Sequence, residues 1–454
     1  MRVVGRSGPD PARRTLSRTH SARTATVRDS VGSVGRVAGA HPGSSWVVDA
    51  LRAVFAAEAA ADAAAEPVPE PAPAAAEPVP EAVPVAPAQP TVPWPQVVRA
   101  IERHRVTGIV APHAAALGCP PEVAQRLHEL HVQQVGRALM LVHDTARASA
   151  ALAVAGIDHL VVKGVGLAAV MGGRPVGRGG GDIDLWVRPA DVARAEVALA
   201  GAGWVRASVA ARIPQPSDER RWRWMLREEH EFPLVAAPRG VPGSAEGGLA
   251  VPPPSAPPAH VDLHWRLFEF EGEFSFGFEG ALAASVPVAD VGPTVRTLGV
   301  AHALEHVAQH GRKEAWLALR QLTDVARLAV LCGPEVVGGL AARSRNVRLA
   351  VAMAARLDDR LRGRHGSLGP LDRRLVDEAW ERCLAFGSYA LRQQQPGVGG
   401  RELVVARARH MGWVLRSAPG WRARGRHVGR LVGRSRVLFD RRHRFWHGKQ
   451  AAAG

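Results

Sequence analysis

Asp182 and Asp184 stand one residue apart in the run Asp182-Ile183-Asp184-Leu185-Trp186-Val187, which alternates polar and apolar side chains. In a strand, side chains i and i+2 share a face, so both carboxylates point one way while Ile183 and Leu185 point into a core. Two carboxylates held side by side repel each other unless a positive charge sits between them. A divalent cation fills that role, and Mg²⁺ takes one or two carboxylates together with substrate phosphates. Upstream, the short apolar run Leu160-Val161-Val162 reads as a strand that ends at Lys163-Gly164, and Val165 to Met171 reads as a helix. A helix N-terminus with free N–H groups, preceded by a lysine, suits a phosphate. A loop with six glycines joins this helix to the aspartates. Metal site and phosphate site thus fall within one β-helix-loop-β unit, the arrangement of nucleotidyl or phosphoryl transfer. A lone D-x-D pair is also common as a solvated surface feature, so the weight rests on its conjunction with the Lys-Gly turn.

A second alternation, His260-Val261-Asp262-Leu263-His264-Trp265, puts Asp262 and His264 on one strand face. Taken alone, Asp262 could equally pair with Arg266 or face solvent, and His264 could face substrate or, more readily, be a hydrogen-bonding core histidine. The central stretch resembles the uncharacterised nucleotidyltransferase family of the DNA-polymerase-β-like nucleotidyltransferase superfamily. Lys163-Gly164, Arg178 four residues before Asp182, and Asp182 to Val187 match its Lys-Gly turn, its arginine and its D-(I/L)-D-L-x-V pattern. The superfamily more often has Gly-Ser where this chain has Lys-Gly. The resemblance covers roughly residues 95–390. It implies an α+β fold: a small mixed β-sheet core with flanking helices and a helical C-terminal subdomain. It also implies a third acidic residue completing the metal site, here Asp262. Such a carboxylate can ligate a metal on the nucleophile side and help take the proton of an attacking hydroxyl.

These residues need elements to position them. From Trp94 to Gly156 apolar residues recur at helical spacing, and one long helix over roughly 122–154 delivers the chain to the Leu160 strand. After the D-x-D strand, a helix to about Ala200 precedes an edge strand near Trp204, and Glu229 to Val235 reads as another strand. The Pro/Gly/Ala-rich segment 236–259 reads as a long loop. Beyond Glu279 the chain turns helical. His302, His306 and His310 recur every four residues, near one face, and His302, Glu305 and His306 match the inverted zinc-protease order H-x-x-E-H. A zinc site also needs a third ligand from elsewhere, which the sequence does not single out. The family resemblance instead implies a histidine-bearing helix followed by an L-x-x-L-x-D segment, Leu319 to Asp324, with His302 and His306 facing phosphate or substrate. A structural role for them fits equally. Apolar faces at Leu349, Met353, Leu357 and at Leu375, Ala379, Leu384 complete a helical subdomain.

Charge is concentrated at the ends. Met1 to Ser45 holds eight arginines against Asp10 and Asp29, and Arg401 to Gly454 holds thirteen arginines and Lys449 against Glu402 and Asp440. Of the formal +16, these stretches carry +6 and +12, so the body between them is near neutral at −2. Trp413, Trp421, Phe439, Phe445 and Trp446 lie among the C-terminal arginines, a pattern suited to nucleic acid or to an anionic membrane surface. A solvated helical tail fits the same pattern. An Ala/Pro/Glu tract over residues 56–95 reads as a linker or disordered spacer, with one weak helix over Val47–Ala61. Three cysteines without a C-x-x-C pattern argue against a disulfide scaffold and suit a reducing cytoplasm. No transmembrane segment and no secretory signal are expected, although the Arg- and Ser-rich start resembles a transit peptide.

The expected organisation is a disordered basic and Ala/Pro-rich region (1–95), a nucleotidyltransferase core with N-terminal helices (96–278), a helical subdomain (279–395) and a basic tail (396–454). The expected function is Mg²⁺-dependent transfer of a nucleoside monophosphate from a nucleoside triphosphate to an unidentified acceptor. Asp182, Asp184 and Asp262 would hold two Mg²⁺ ions. Lys163 and the backbone of Gly164 and Gly166 would bind the triphosphate, with Arg178 neutralising the departing pyrophosphate. The tail would govern polyanion binding and be dispensable for the chemistry. The rival reading is a non-catalytic nucleotide- or nucleic-acid-binding module with a vestigial metal site.

Overall fold

The computed structural model describes residues 43–64, 85–172, 178, 180–206, 214–237, 260–268, 274–316, 318–385 and 400–418, with 424, 425 and 428. Residues 65–84 of the Ala/Pro/Glu tract, the loop at 238–259, the basic start up to residue 42 and Trp421, Phe439, Phe445 and Trp446 lie outside them. In chain order the elements are α1 (Ser44–Ala64), α2 (Trp94–His104), α3 (Thr107–Val110), α4 (Pro121–Val154), β1 (His159–Val161), α5 (Gly164–Val170), β2 (Asp182–Val187), α6 (Val192–Gly201), β3 (Trp204–Arg206), α7 (Glu219–Glu228), β4 (Glu231–Ala236) and β5 (His260–His264). Then follow α8 (Phe278–Ala283), β6 (Val286–Pro287), β7 (Arg296–Thr297), α9 (Val300–Lys313), α10 (Leu319–Arg343), α11 (Arg345–Ala354), α12 (Pro370–Leu384) and α13 (Gly400–Ser417). The expected α+β architecture is present.

The strands form one mixed sheet in the order β3-β4-β5-β2-β1-β7-β6. β2 runs antiparallel to β1 and parallel to β5, and β5 runs antiparallel to β4. The two-residue alternation gives the sheet two different faces. Ile183, Leu185, Val187, Val261 and Leu263 are buried together with Ala148 and Leu152 of α4 and Val192, Ala195 and Leu199 of α6. Leu160, Val162 and Trp186 point the opposite way, into a second core built by α1, α2 and α9 to α12. The carboxylates of β2 share that second face. They therefore open toward the helical layer.

α1 corrects the expected order of the N-terminal region. The sequence suggests a weak helix inside a disordered stretch, whereas Ser44–Ala64 is a 21-residue helix with Trp46, Val47, Leu51, Val54 and Phe55 buried. Its apolar side is covered by the helical core, and tertiary burial, more than propensity, stabilises such helices. Trp46 also meets Trp94 edge-on at 5.1 Å. The basic tail needs a similar correction at its start. Trp413 is 1% exposed, its indole N–H donates to the Arg312 carbonyl at 3.2 Å, and Val414 and Ala418 are buried beside it. That tryptophan is core and takes no part in a stacking surface.

α10 is broken in mid-course at Gly333 (φ 75°) and Pro334. Glycine alone reaches that φ without strain, and proline removes the amide that would continue the helix. Among the described residues α10 is the one helix long and apolar enough to cross a membrane by length and composition. Leu319, Leu322, Val325, Ala326 and Leu328 of its first half are buried in the helical core.

Candidate active site

The parallel register of β2 and β5 aligns Asp182 with His260, Asp184 with Asp262 and Trp186 with His264. Residues directly opposite in register share a face, so all three aspartates converge. One carboxylate oxygen from each of Asp182, Asp184 and Asp262 lies within 4.8 Å of the others. Asp182 sits at the exposed edge, Asp262 is half-buried, and Asp184 is 1% exposed.

Asp184 is the electrostatic centre. Its Oδ1 accepts from Lys163 Nζ at 2.6 Å and lies 2.9 Å from His264 Nε2. Its Oδ2 is buried and has no hydrogen-bond partner among the described residues. A buried carboxylate oxygen without a partner is costly, and a cation in the cluster would satisfy it. Burial alone would raise the Asp184 carboxyl, but the Lys163 ammonium and the His264 ring outweigh it and hold it well below the usual carboxylate range. Asp182 is pushed up, first by the Asp184 charge and then by burial, despite Lys163 and Arg320. Burial works against the Lys163 ammonium too, yet Asp184, Glu231 and Asp182 raise it above an ordinary lysine.

The three acids and the lysine therefore form one charge cluster. Lys163, expected at the triphosphate, is half-buried and bonds the Asp184 carboxylate. The glycines beside it also have packing roles. A Cβ on Gly166 would meet Thr297 Oγ1 and the Val161 carbonyl at 2.6 Å, so its missing side chain lets α5 close on β7. Its amide donates to the Lys163 carbonyl at 3.0 Å. Gly164 has φ 50°, and a Cβ there would meet the Asp182 carbonyl at 3.3 Å, so a glycine makes the tight turn into α5.

Arg178 also has a partner that the sequence left unassigned. Its Nε donates to Asp324 Oδ1 at 3.0 Å and its Nη2 to Asp324 Oδ2 at 2.7 Å. His264 takes the hydrogen-bonding role through Nε2, 2.9 Å from Asp184 Oδ1, while Glu231 Oε2 on the paired strand β4 lies 3.1 Å from its Nδ1 without hydrogen-bond geometry. Arg266 reaches back to the Arg227 carbonyl at 2.6 Å. Below the carboxylates, Lys163, His230, Glu231, His264, His306, His310 and Lys313 surround a cavity of about 20 Å³, room for one water. Burial and then Lys163 push His306 down to about 3, so its ring is neutral.

The zinc arrangement is absent from the described residues. His302 stacks on Phe276 with centroids 4.2 Å apart, and Glu305 accepts from the Ser275 amide and hydroxyl at 2.6 Å each. Glu305 therefore ties down the segment before α8, both of its oxygens taken up by Ser275. Of the expected substrate-facing histidines, His306 lines the cavity and His302 packs on an aromatic ring. Glu231 and Asp324 were missed as site residues. Glu231 meets His264 only through the β4–β5 register, and Asp324 meets Arg178 across 146 residues of chain. The Leu319–Asp324 pattern was the one sequence signal for the latter.

No curated protein and no solved structure matches the chain. A family model described as uncharacterised nucleotidyltransferase matches residues 90–355, more than half of the chain, and spans β1, β2, β5 and the helices that face them. With its paired strands, its carboxylate triad and that match, the chain belongs to the uncharacterised nucleotidyltransferase family.

Proposed function

We propose that the protein is a Mg²⁺-dependent nucleotidyltransferase that moves a nucleoside monophosphate from a nucleoside triphosphate to an acceptor. The observation that carries this reading is the triad: three carboxylate oxygens within 4.8 Å of one another, with the buried Asp184 Oδ2 lacking a hydrogen-bond partner among the described residues. That donor set is all oxygen, as Mg²⁺ requires. Asp182, Asp184 and Asp262 would hold the metal. Bound there, it would neutralise phosphate charge and activate the attacking oxygen.

The chain's own residues do the rest. His264 and Lys163 fix the Asp184 carboxylate by hydrogen bonds to one oxygen and leave the other to the metal. Such supporting partners set the direction of a ligating oxygen. Asp262, half-buried on the β4 side of the triad, would take a proton from an acceptor hydroxyl. The Lys163 and Arg178 charges lie within electrostatic reach of the triad and would offset the charge of the triphosphate.

The test is transfer of label from α-³²P nucleoside triphosphates into components of a cell extract, with Mg²⁺ and with EDTA. The unaltered protein should transfer label only with Mg²⁺, and Asp184→Asn should lose at least ~100-fold, as removal of a ligand's charge at a metal-assisted site does. Tight nucleotide binding without any turnover would favour the binding-module reading.

A further inference from the structure

The Arg178–Asp324 pair joins two parts of the molecule that share no local sequence. Arg178 lies in the glycine-rich loop just before β2, and Asp324 lies on α10 in the helical layer. Two guanidinium nitrogens meet two carboxylate oxygens, and the side chains are 13% and 5% exposed. A two-pronged pair of this kind fixes the plane of the guanidinium as well as its position. The glycine-rich segment before Asp182 has little conformational preference of its own, so its path must be set by contacts. Gly180 passes close to Leu141 of α4, and the Arg178–Asp324 bridge ties the same segment to α10.

The bridge is also electrically joined to the triad. The positive charge of Arg178 is within reach of Asp182 and Asp184 as well as Asp324. Arg320, one turn before Asp324 on α10, acts on Asp182 and is itself crowded by Arg178. Two guanidinium groups thus act electrostatically on the carboxylates, one of them held at a helix–loop junction by Asp324. A triphosphate held at the carboxylates would bring phosphate charge within reach of both.

We propose that Asp324 is a positioning residue that aims the Arg178 guanidinium at the phosphates of the bound nucleoside triphosphate; this rests on the nucleotidyltransferase reading above. Asp324 itself touches no substrate. It acts through Arg178, so its effect must vanish when Arg178 is gone.

The experiment is calorimetric binding of α,β-methylene analogues of the common nucleoside triphosphates, with Mg²⁺, to the full chain. The proteins are the unaltered one, Asp324→Asn, Arg178→Ala, the double variant and Asp184→Asn, with melting temperatures recorded for each. Asp324→Asn should weaken binding ~10–100-fold, the usual range for a supporting partner of a functional group. Adding it to Arg178→Ala should cost nothing further, because residues acting as a unit are not additive. An Asp324→Asn affinity equal to the unaltered protein overturns the proposal. So does an Asn loss that persists undiminished in the Arg178→Ala background, which would make Asp324 merely structural. If the Asn variant does not fold, Asp324→Glu keeps both charges and carries the test in the same cycle. If the unaltered protein binds no analogue, the nucleotidyltransferase reading fails and takes this proposal with it; binding that Asp184→Asn weakens and Asp324→Asn leaves intact sinks this proposal alone.

Discussion

Replacing Lys163 by methionine removes the ammonium 2.6 Å from Asp184 Oδ1 and keeps a side chain of similar length. Asp184 Oδ1 then keeps the His264 ring, 2.9 Å away, as its hydrogen-bond partner. Removing one member of a buried ion pair costs about 3–5 kcal/mol. The Lys163 side chain keeps 24% exposure, so solvent already weakens the pair and about 2–3 kcal/mol is the better figure. The described residues number roughly 300, and at ~2.1 cal/mol/K per residue the unfolding entropy is ~0.6 kcal/mol/K. The variant should therefore melt about 3–5 °C lower in EDTA at pH 7. Mg²⁺ bound by the triad would supply the missing charge. A ligand at a hundred times its Kd stabilises by about 2.7 kcal/mol, enough to close most of the gap. The Asp184 carboxyl is depressed on folding and the Lys163 ammonium raised, so the pair's contribution is complete between the unfolded values, about 4 and 10. It fades as pH falls through the still lower folded value of Asp184, or rises through the higher one of Lys163. Differential scanning fluorimetry across pH, with EDTA and with excess Mg²⁺, measures all of this. An Lys163→Met protein as stable as the original in EDTA refutes the reasoning. So does Mg²⁺ raising the melting temperature of the original more than that of the variant.

Gly166→Ala should cost about 1–3 kcal/mol, because the new methyl group would meet the Val161 carbonyl and Thr297 Oγ1 at 2.6 Å; an unchanged denaturant midpoint would show that α5 shifts freely. Trp413→Ala should cost about 3–5 kcal/mol, so a chain ending near residue 400 should be markedly destabilised while one ending after Ala418 melts normally. The longer truncation should still lose polyanion affinity and flatten its salt dependence, read by fluorescence anisotropy with heparin at several salt concentrations. Glu305→Gln should lower stability and leave zinc content at zero by atomic absorption, since both Glu305 oxygens bond Ser275.

The alternation around Asp182 and Asp262 was readable directly, because a two-residue period sorts side chains onto faces whatever the rest of the chain does. β2 has the predicted limits Asp182–Val187, and the long helix before β1 is within a residue or two of its expected span. That parity alone determined that Asp182 and Asp184 would be neighbours. It could not determine that Asp262 joins them, because strand pairing and register are set by the whole sheet. The parallel β2–β5 register decided it, placing Asp184 opposite Asp262.

Charged side chains were legible as types and illegible as partners. Lys163, Arg178 and His264 were all singled out, and each found a carboxylate that only the tertiary structure brings near: Asp184, Asp324 and the Asp184–Glu231 pair. Burial reversed two other readings. Val47–Ala61 and Trp413 sit in stretches whose composition suggests spacer and basic tail, yet α1 and α13 each cover the helical core with a few large apolar residues. Composition averages over a window, whereas burial depends on which side of one helix meets a neighbour. The histidines of α9 show the same limit: their four-residue spacing puts them near one face, and packing assigns His302 to Phe276 and His306 to the cavity beneath the carboxylates.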